Sequence, residues 1–264
     1  MKKILTCLVM LTLLAGCGSS ANNETNLTVG GSTSIQPLME DFSAGFESKK
    51  LGTLDIQGGG SGVGIKGVNS NAFQVGMVSR ELTTEESASL DVHEIAIDGI
   101  CVILNKENKV ENLTTEQIKD IFTGKITNWK DLGGDDNPIA VISREDGSGT
   151  RAAFEEIVGY KAKELVANAE IQKATNALIQ SVDSNPNAIG FISLGSLKDS
   201  VKAANVNGVV ANVENITNKT YKLQRPYNLV SKKGNEAEIK PLLDYIKSED
   251  GKKIIVDKKY IPVE

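Results

Sequence analysis

Between Ile139 and Glu155 the chain reads IAVISREDGSGTRAAFE: a short apolar run, then Arg144, two acids, Gly147 to Thr150, and a stretch with helical spacing. A strand, a small polar turn and a helix start together make a socket for an anion. The first N–H groups of a helix have no partner within it, and the summed peptide dipoles place partial positive charge there. Gly147 and Gly149 let the backbone approach a ligand closely, while the hydroxyls of Ser148 and Thr150 each have a proton to donate. Arg144 adds a planar fork of donors, and Asp146, two residues on, is expected to pair with that fork and hold it still. The plainer alternative is an ordinary helix cap, with Ser148 as N-cap and Arg144 in a surface ion pair.

Two earlier stretches have the same form. A short strand, Leu27 to Val29, runs into GGSTS and then PLMEDFSAGFESKK, where Leu38, Phe42 and Phe46 share one helical face. Ser32, Thr33 and Ser34 cluster at that helix start, with Pro37 just inside it; one hydroxyl would cap, and three exceed what capping needs. A second strand, Thr53 to Gln57, leads into GGGSGVGIKG. Gly62, Gly64 and Gly67 match the GxGxxG dinucleotide pattern, with Glu81 near the spacing of a ribose-binding acid. The following VNSNAF is too short and polar for the long helix that the third glycine serves in that motif. The stretch therefore reads as a flexible turn whose Ser61 supplies another hydroxyl and amide donor.

The elements that must carry these turns alternate. FQVGMVS is a third strand ending at Ser79 and Arg80, TTEESASL a helix, and HEIAIDGICVILNK a long strand interrupted at Asp98 and Gly99. LTTEQIKDIF opens near capping-box form; KAKELVANAE, TNALIQSVDS and LGSLKDSVKA read as helices and AIGFIS as a strand. TYKLQRPYNLVSK is a second long strand, in which Pro226 suits a crossing rather than a fully paired central place. The last thirty or so residues read as one or two amphipathic helices. The fold class is α/β, with two long crossings, near residues 98 to 103 and 223 to 229, joining two lobes.

Hydrophobic residues make up 40% of the 264 residues and aromatics only 5%, so the core is aliphatic, as in α/β proteins rich in Val and Ile. Residues 1–16 form an export signal: Lys2 and Lys3, then an apolar run too short to span a bilayer. It ends in Leu14-Ala15-Gly16-Cys17, which resembles the lipobox of bacterial lipoproteins, in which the Cys17 thiol carries lipid after cleavage. Residues 17–26 are a lipidated Cys and a flexible polar tether. With Cys7 removed and Cys17 lipidated, Cys101 has no disulfide partner, and it reads as a core residue. One histidine, His93, and no Cys cluster argue against a metal site, and no cofactor is expected. Loss of Lys2 and Lys3 leaves 27 basic against 34 acidic residues, moving the formal net charge from −5 to −7; so acidic a chain does not point to nucleic acid.

Taken together, GGSTSIQPL, GGGSGVGIKG, QVGMVSREL, IAIDGICVILN, LTTEQIKDIFTGKITNWKDLGG, ISREDGSGTRAAF and RPYNLV, in this order, closely resemble the phosphate-binding lipoproteins of bacterial ABC phosphate importers. The resemblance implies a two-lobed periplasmic binding protein fold of type II, each lobe a sheet flanked by helices, with residues 27–98 and 226–264 in lobe 1 and 99–225 in lobe 2. It implies phosphate contacts from Thr33, Ser34, Ser61, Ser79, Arg144, Ser148, Gly149 and Thr150, supported by Ser32, Asp98 and Asp146. It also implies a monomer held on the outer face of the cell membrane through Cys17, passing phosphate to the permease and ATPase subunits of an importer. Known members carry an Asp after the third strand that accepts the proton of hydrogen phosphate. This chain has Ser79 and then Arg80 there. Ser79 is expected to take that role, with Asp98 as a second candidate or as a partner for Arg80. The alternatives are another tetrahedral oxyanion such as sulfate, or a phosphatase using Ser148, for which DGSGT lacks the GxSxG form and His93 is the sole histidine base.

Overall fold

A computed structural model of the chain describes residues 25–263, so the export signal and Cys17 lie outside the described residues. In chain order the elements are β1 (Thr25–Gly31), α1 (Gln36–Ser48), β2 (Gly52–Gly58), α2 (Ser61–Asn69), β3 (Val75–Val78), α3 (Thr84–Ser89), β4 (Leu90–Asn105), β5 (Asn112–Leu113), α4 (Thr115–Phe122), β6 (Ala140–Arg144), α5 (Gly149–Val158), β7 (Glu170–Gln172) and α6 (Thr175–Asp183). They continue with β8 (Ala188–Ser193), β9 (Val201–Ala203), β10 (Asn205–Val206), α7 (Val213–Thr217), β11 (Gln224–Lys232), α8 (Glu236–Lys247), α9 (Glu249–Asp257) and β12 (Ile261–Pro262). Thr25 and Asn26, placed in the tether by sequence, belong to β1 and pair with Gly52 and Thr53 of β2.

One sheet runs through the molecule in the order β2-β1-β3-β11-β4-β8-β6-β7, and β9 and β12 pair with β4. Strands β1, β2 and β3 are parallel, as are β6, β7 and β8; β11 and β4 are antiparallel to each other and to their flanking neighbours β3 and β8. Two large hydrophobic cores result, with a smaller third cluster of Ile65, Val68, Val78, Leu90 and Val230 beneath α2. The first gathers Leu27 to Ala96 and Tyr227 to Tyr260, with Leu38, Phe42 and Phe46 of α1 against Tyr245 of α8. The second gathers Ile100 to Leu223, centred on stacked Phe154 and Phe191 rings 4.1 Å apart. The sixteen-residue β4 passes between the cores without interruption, through Asp98 and Gly99. Pro226 faces Ile97 on β4, whereas β3 pairs only with Asn228 to Val230, so the proline sits where β11 has a partner on one side.

Three stretches differ from their sequence reading. The glycine run is helix α2, and its glycines serve packing: a Cβ at Gly64 would lie 2.8 Å from the Gly30 carbonyl and 3.0 Å from that of Met77, and one at Gly67 would overlap Phe73. A helix this close to β1 and β3 tolerates no side chain on that face. KAKELVANAE has helix formers but forms only a 3-10 turn at Ala162–Glu164 before β7 pairs with the edge of β6. LGSLKDSVKA likewise gives a 3-10 turn, Leu194–Ser196, and then β9, which pairs with Ile103–Asn105 of β4. In both, strand pairing overrides a weak local preference.

Candidate functional site

The turn after β1 places three hydroxyls at the start of α1 without spending them on the helix. The N-cap position is Ile35, which makes no side-chain cap bond, and Pro37 fills an early position whose N–H needs no partner. Ser32, Thr33 and Ser34 are thereby free for other contacts. Ser32 Oγ lies 2.9 Å from Ser34 Oγ and donates to Ser79 Oγ at 2.8 Å. At the first position of α2, Ser61 Oγ accepts the Ser79 N–H at 3.0 Å and lies 3.3 Å from Ser79 Oγ. Ser32, Ser34, Ser61 and Ser79 are all buried.

From the other side, β6 ends in Arg144, and α5 starts at Gly149 with Ser148 as its N-cap, its Oγ accepting from the Arg151 N–H at 3.3 Å. Arg144, 2% exposed, reaches across with Nη2 to Thr33 Oγ1 at 3.1 Å. Thr150 Oγ1 lies 3.2 Å from Ser34 Oγ. The Gly62 N–H donates to the Gly147 carbonyl at 3.0 Å. Gly149 is pressed so near the hydroxyls that a Cβ there would overlap Ser61 Oγ and lie 2.7 Å from Ser79 Oγ. Of the candidate contact residues, Thr33, Ser34, Ser61, Ser79, Arg144, Gly149 and Thr150 thus meet in one cluster where the two cores face each other, and Ser148 adjoins it in the chain with its Oγ on the backbone of α5.

Two expected supports differ. Asp146 does not hold Arg144; its side chain is 95% exposed and receives Arg151 Nη1 at 2.8 Å. Glu145 takes that place, accepting from Arg144 Nε at 2.8 Å and Nη2 at 2.9 Å in a two-bond fork. The turn after β6 carries Asp146 outward, while Arg151 is further fixed by Glu155 one helical turn on and by the Arg144 carbonyl. Nor does Asp98 pair with Arg80. Arg80 forks onto Glu86 at 2.7 and 2.8 Å, and Asp98, fully buried, takes Arg225 Nε at 3.0 Å on one oxygen and Ser193 Oγ at 2.8 Å on the other. Burial pushes the Asp98 carboxyl up from its ordinary range, and the guanidinium of Arg225 pulls against that shift.

Arg225 itself, 3% exposed, was not among the residues that sequence reasoning chose. It lies opposite Asp98 in the β4–β11 register and donates through Nη1 to the Ser79 carbonyl at 3.0 Å and through Nη2 to Ser34 Oγ at 3.3 Å. Its signal was available: two opposite charges, each inside an otherwise apolar long strand, need each other when buried. Thr175, at the start of α6, was also missed; its Oγ1 accepts from Arg144 Nη1 at 3.3 Å and touches Thr33 Oγ1 at 3.3 Å. Among the described residues no group of three or more metal-ligating side chains occurs, and no helix is long and apolar enough to cross a membrane. His93 lines a separate cavity of about 210 Å³ with Leu243, Ile246 and Ile255, none of which belongs to the hydroxyl cluster.

The cluster offers a guanidinium, several hydroxyls and helix-start amides, an arrangement suited to a tetrahedral anion. The model of the PBP superfamily domain matches residues 18–250. The phosphate-binding protein PstS of Bacillus subtilis (strain 168) is 30% identical, over 96% of this chain and 90% of its own length. Among solved structures, that of a protein from Clostridium perfringens, described as a phosphate ABC transporter substrate-binding protein and carrying bound phosphate, is 47% identical. It superposes with a TM-score of 0.88 over 90% of this chain and all of its own. An ABC-type phosphate transport receptor from Vibrio cholerae is 34% identical with a TM-score of 0.75 over the same shares.

Proposed function

Because the chain belongs to the phosphate-binding proteins of ABC importers, within the PBP superfamily, we propose that it closes its two lobes on inorganic phosphate and delivers it to the importer's permease. The observation that carries the site assignment is the direct contact of Arg144 with Thr33 and of Thr150 with Ser34 across the cleft. Donors from two cores that already touch can surround one small anion between them. A buried anion needs that many partners, since charge taken from water without hydrogen bonds is costly.

In this reading Thr33, Ser34, Ser61 and Ser79 bind from lobe 1 (27–98 and 226–264), and Arg144, Ser148, Gly149 and Thr150 from lobe 2 (99–225). Arg225 and Thr175 are added to the supporting set, and Glu145 replaces Asp146 as the holder of Arg144. Charge-assisted hydrogen bonds are stronger than neutral ones, which makes the guanidinium the main counter-charge. The protein acts on the outer face of the membrane, anchored through a lipid on Cys17 and working as a monomer; the apolar run ending in Leu14-Ala15-Gly16-Cys17 supports the anchor. No reaction is part of this function, and a generic phosphate ester incubated with the protein should stay intact.

Calorimetric titration of the chain lacking residues 1–17 with phosphate, sulfate and molybdate tests the reading. Saturable one-to-one binding of phosphate is expected. Heat only from sulfate or molybdate would overturn it.

A further inference from the structure

The first half of β4, the pair α8 and α9, and Val263 just after β12 enclose the cavity of about 210 Å³ that His93 lines. None of its lining residues belongs to the hydroxyl cluster. Its floor is apolar: Ile95, Leu243, Ile246 and Ile255 are all buried. An apolar cavity of about 150 Å³ takes up benzene, so this one has room for a ring of that size with a small polar group attached. Small-molecule sites commonly have this make-up, a mostly apolar wall with a few polar groups that fix orientation.

Two lysines set the sign of that polar group. Lys247, exposed at the end of α8, and Lys252, half-buried on α9, both line the cavity. Four other lysines around these helices each have a carboxylate: Lys49 pairs with Asp250, Lys240 with Asp244, Lys253 with Asp257 and Lys258 with Asp41. Lys247 and Lys252 have no such partner among the described residues. Glu94 is the one carboxylate in the lining, and its carboxyl is pushed up from the usual range by burial and by Glu81, with neither lysine drawing it down. The His93 imidazole adds a third polar group, for its Nε2 is buried without a hydrogen-bond partner among the described residues.

We propose that this cavity is a second ligand site, which takes a small amphipathic carboxylate: an apolar group about the size of a benzene ring on the floor, and its carboxylate at Lys247 and Lys252. A neutral apolar molecule would fill the floor and leave both ammonium groups unused. An amine would meet like charge, and an inorganic anion would leave the floor empty. The site shares no residue with the hydroxyl cluster, so it stands whether or not that cluster binds phosphate. Within this chain the competing anion is Glu264, the residue after Val263.

His93 is the sole histidine, so its ring protons report on the cavity in a proton NMR spectrum without overlap from another imidazole. Titration of the chain lacking residues 1–17 with benzoate should shift them saturably, with a Kd on the order of 1 mM. Benzyl alcohol should bind more weakly and benzylamine not at all. Lys247→Met with Lys252→Met should weaken benzoate about tenfold and leave benzyl alcohol unchanged. Leu243→Phe, which fills the floor, should abolish both, with a thermal melt to show that it folds; the lysine variants, altered only at the rim, keep the test open if it does not. The charged groups around the imidazole are Asp91 and Glu94 on β4, Glu236 before and Lys247 within α8, and Lys252 on α9. Burial holds the imidazole below its ordinary value and Lys247 adds to that, against Glu236 and Asp91. A bound carboxylate favours the charged ring, so saturating benzoate should move the His93 titration to higher pH. No saturable shift, equal binding of benzoate and benzyl alcohol, benzoate affinity indifferent to the lysine pair, or benzoate binding found only in Glu264→Gln overturns the proposal. Failure of wild type to bind phosphate in calorimetry would overturn the transport reading and leave this site standing.

Discussion

The two helix starts that face each other across the cleft use their hydroxyls in opposite ways. In lobe 1, α1 begins without a side-chain cap, and Ser32, Thr33 and Ser34 are directed at one another, at Ser79 and at the other lobe. In lobe 2, α5 spends the Ser148 lone pair on its own backbone, and the cleft-facing charge comes from Arg144 at the end of β6. A second guanidinium, that of Arg225 on the crossing strand β11, stands behind the lobe 1 hydroxyls, paired with Asp98. Charge thus enters from one lobe, and neutral, direction-fixed donors from the other. Such a division gives each lobe too little to hold a desolvated anion alone, which ties strong binding to closure.

Removing the charged half should have the largest effect. Arg144→Ala takes away the only cleft-facing guanidinium among the described residues and leaves the ligand charge buried and uncompensated. Truncating one partner of a buried charge pair costs about 2 to 5 kcal/mol, so phosphate affinity should fall by roughly a hundredfold. Calorimetry checks it, and a loss of less than about threefold would mean that lobe 2 does not supply the charge.

Blocking the approach of the lobes comes next. Gly149→Ala places a methyl into Ser61 Oγ and close to Ser79 Oγ, two buried hydroxyls tied together by the Ser79 N–H bond to Ser61 Oγ. Overpacking of this kind costs about 1 to 3 kcal/mol. Because the clash exists only when the lobes meet, phosphate affinity should drop by roughly thirtyfold, corresponding to about 2 kcal/mol. Small-angle scattering at saturating phosphate would show a larger radius of gyration than wild type, and an unchanged affinity and radius would contradict the closed cleft.

How much of this contrast could be read from the chain depends on the range of the forces involved. The strand-turn-helix signals at Ser32 to Ser34 and at Ser148 to Thr150 are local, and the hydroxyls they promise are where the sequence puts them. The capping box of Thr114 and Gln117 on α4 is equally local and equally present. What sequence spacing misses is set by register. Arg225 meets Asp98 because β11 and β4 pair antiparallel with those residues opposed, across 127 residues of chain. The glycines of α2 look like flexibility in one dimension and prove to be contact with β1 and β3 in three. Glu145 and Asp146 are interchangeable as letters, and only the outward course of the turn after β6 separates the carboxylate that grips Arg144 from the one in solvent.

A smaller effect separates capping from ligand binding. Thr114→Ala removes a cap remote from the cleft, at a cost of about 1 kcal/mol in stability, and should leave phosphate affinity unchanged. Ser148→Ala removes a cap of the same kind and one donor to the anion. It should match Thr114→Ala in urea denaturation yet bind phosphate about tenfold more weakly, since one hydrogen bond to a charged group contributes about 1.5 kcal/mol or more. Equal binding by the two variants would make Ser148 a cap and nothing more.

The smallest expected effect bears on how lobe 2 holds its charge. Asp146 is 95% exposed and pairs with Arg151, whose Nε is already bound by Glu155 and whose Nη1 also reaches the Arg144 carbonyl. An ion pair so open to water contributes about 0 to 1 kcal/mol, and losing it leaves Arg151 with two other partners. Asp146→Asn should therefore change phosphate affinity by less than about twofold, because the grip on Arg144 belongs to Glu145 through bonds of 2.8 and 2.9 Å. A loss of tenfold would mean that Asp146 and Arg151 together orient Arg144 through its carbonyl, and that the lobe supplying the charge is positioned from its surface rather than from within the cleft.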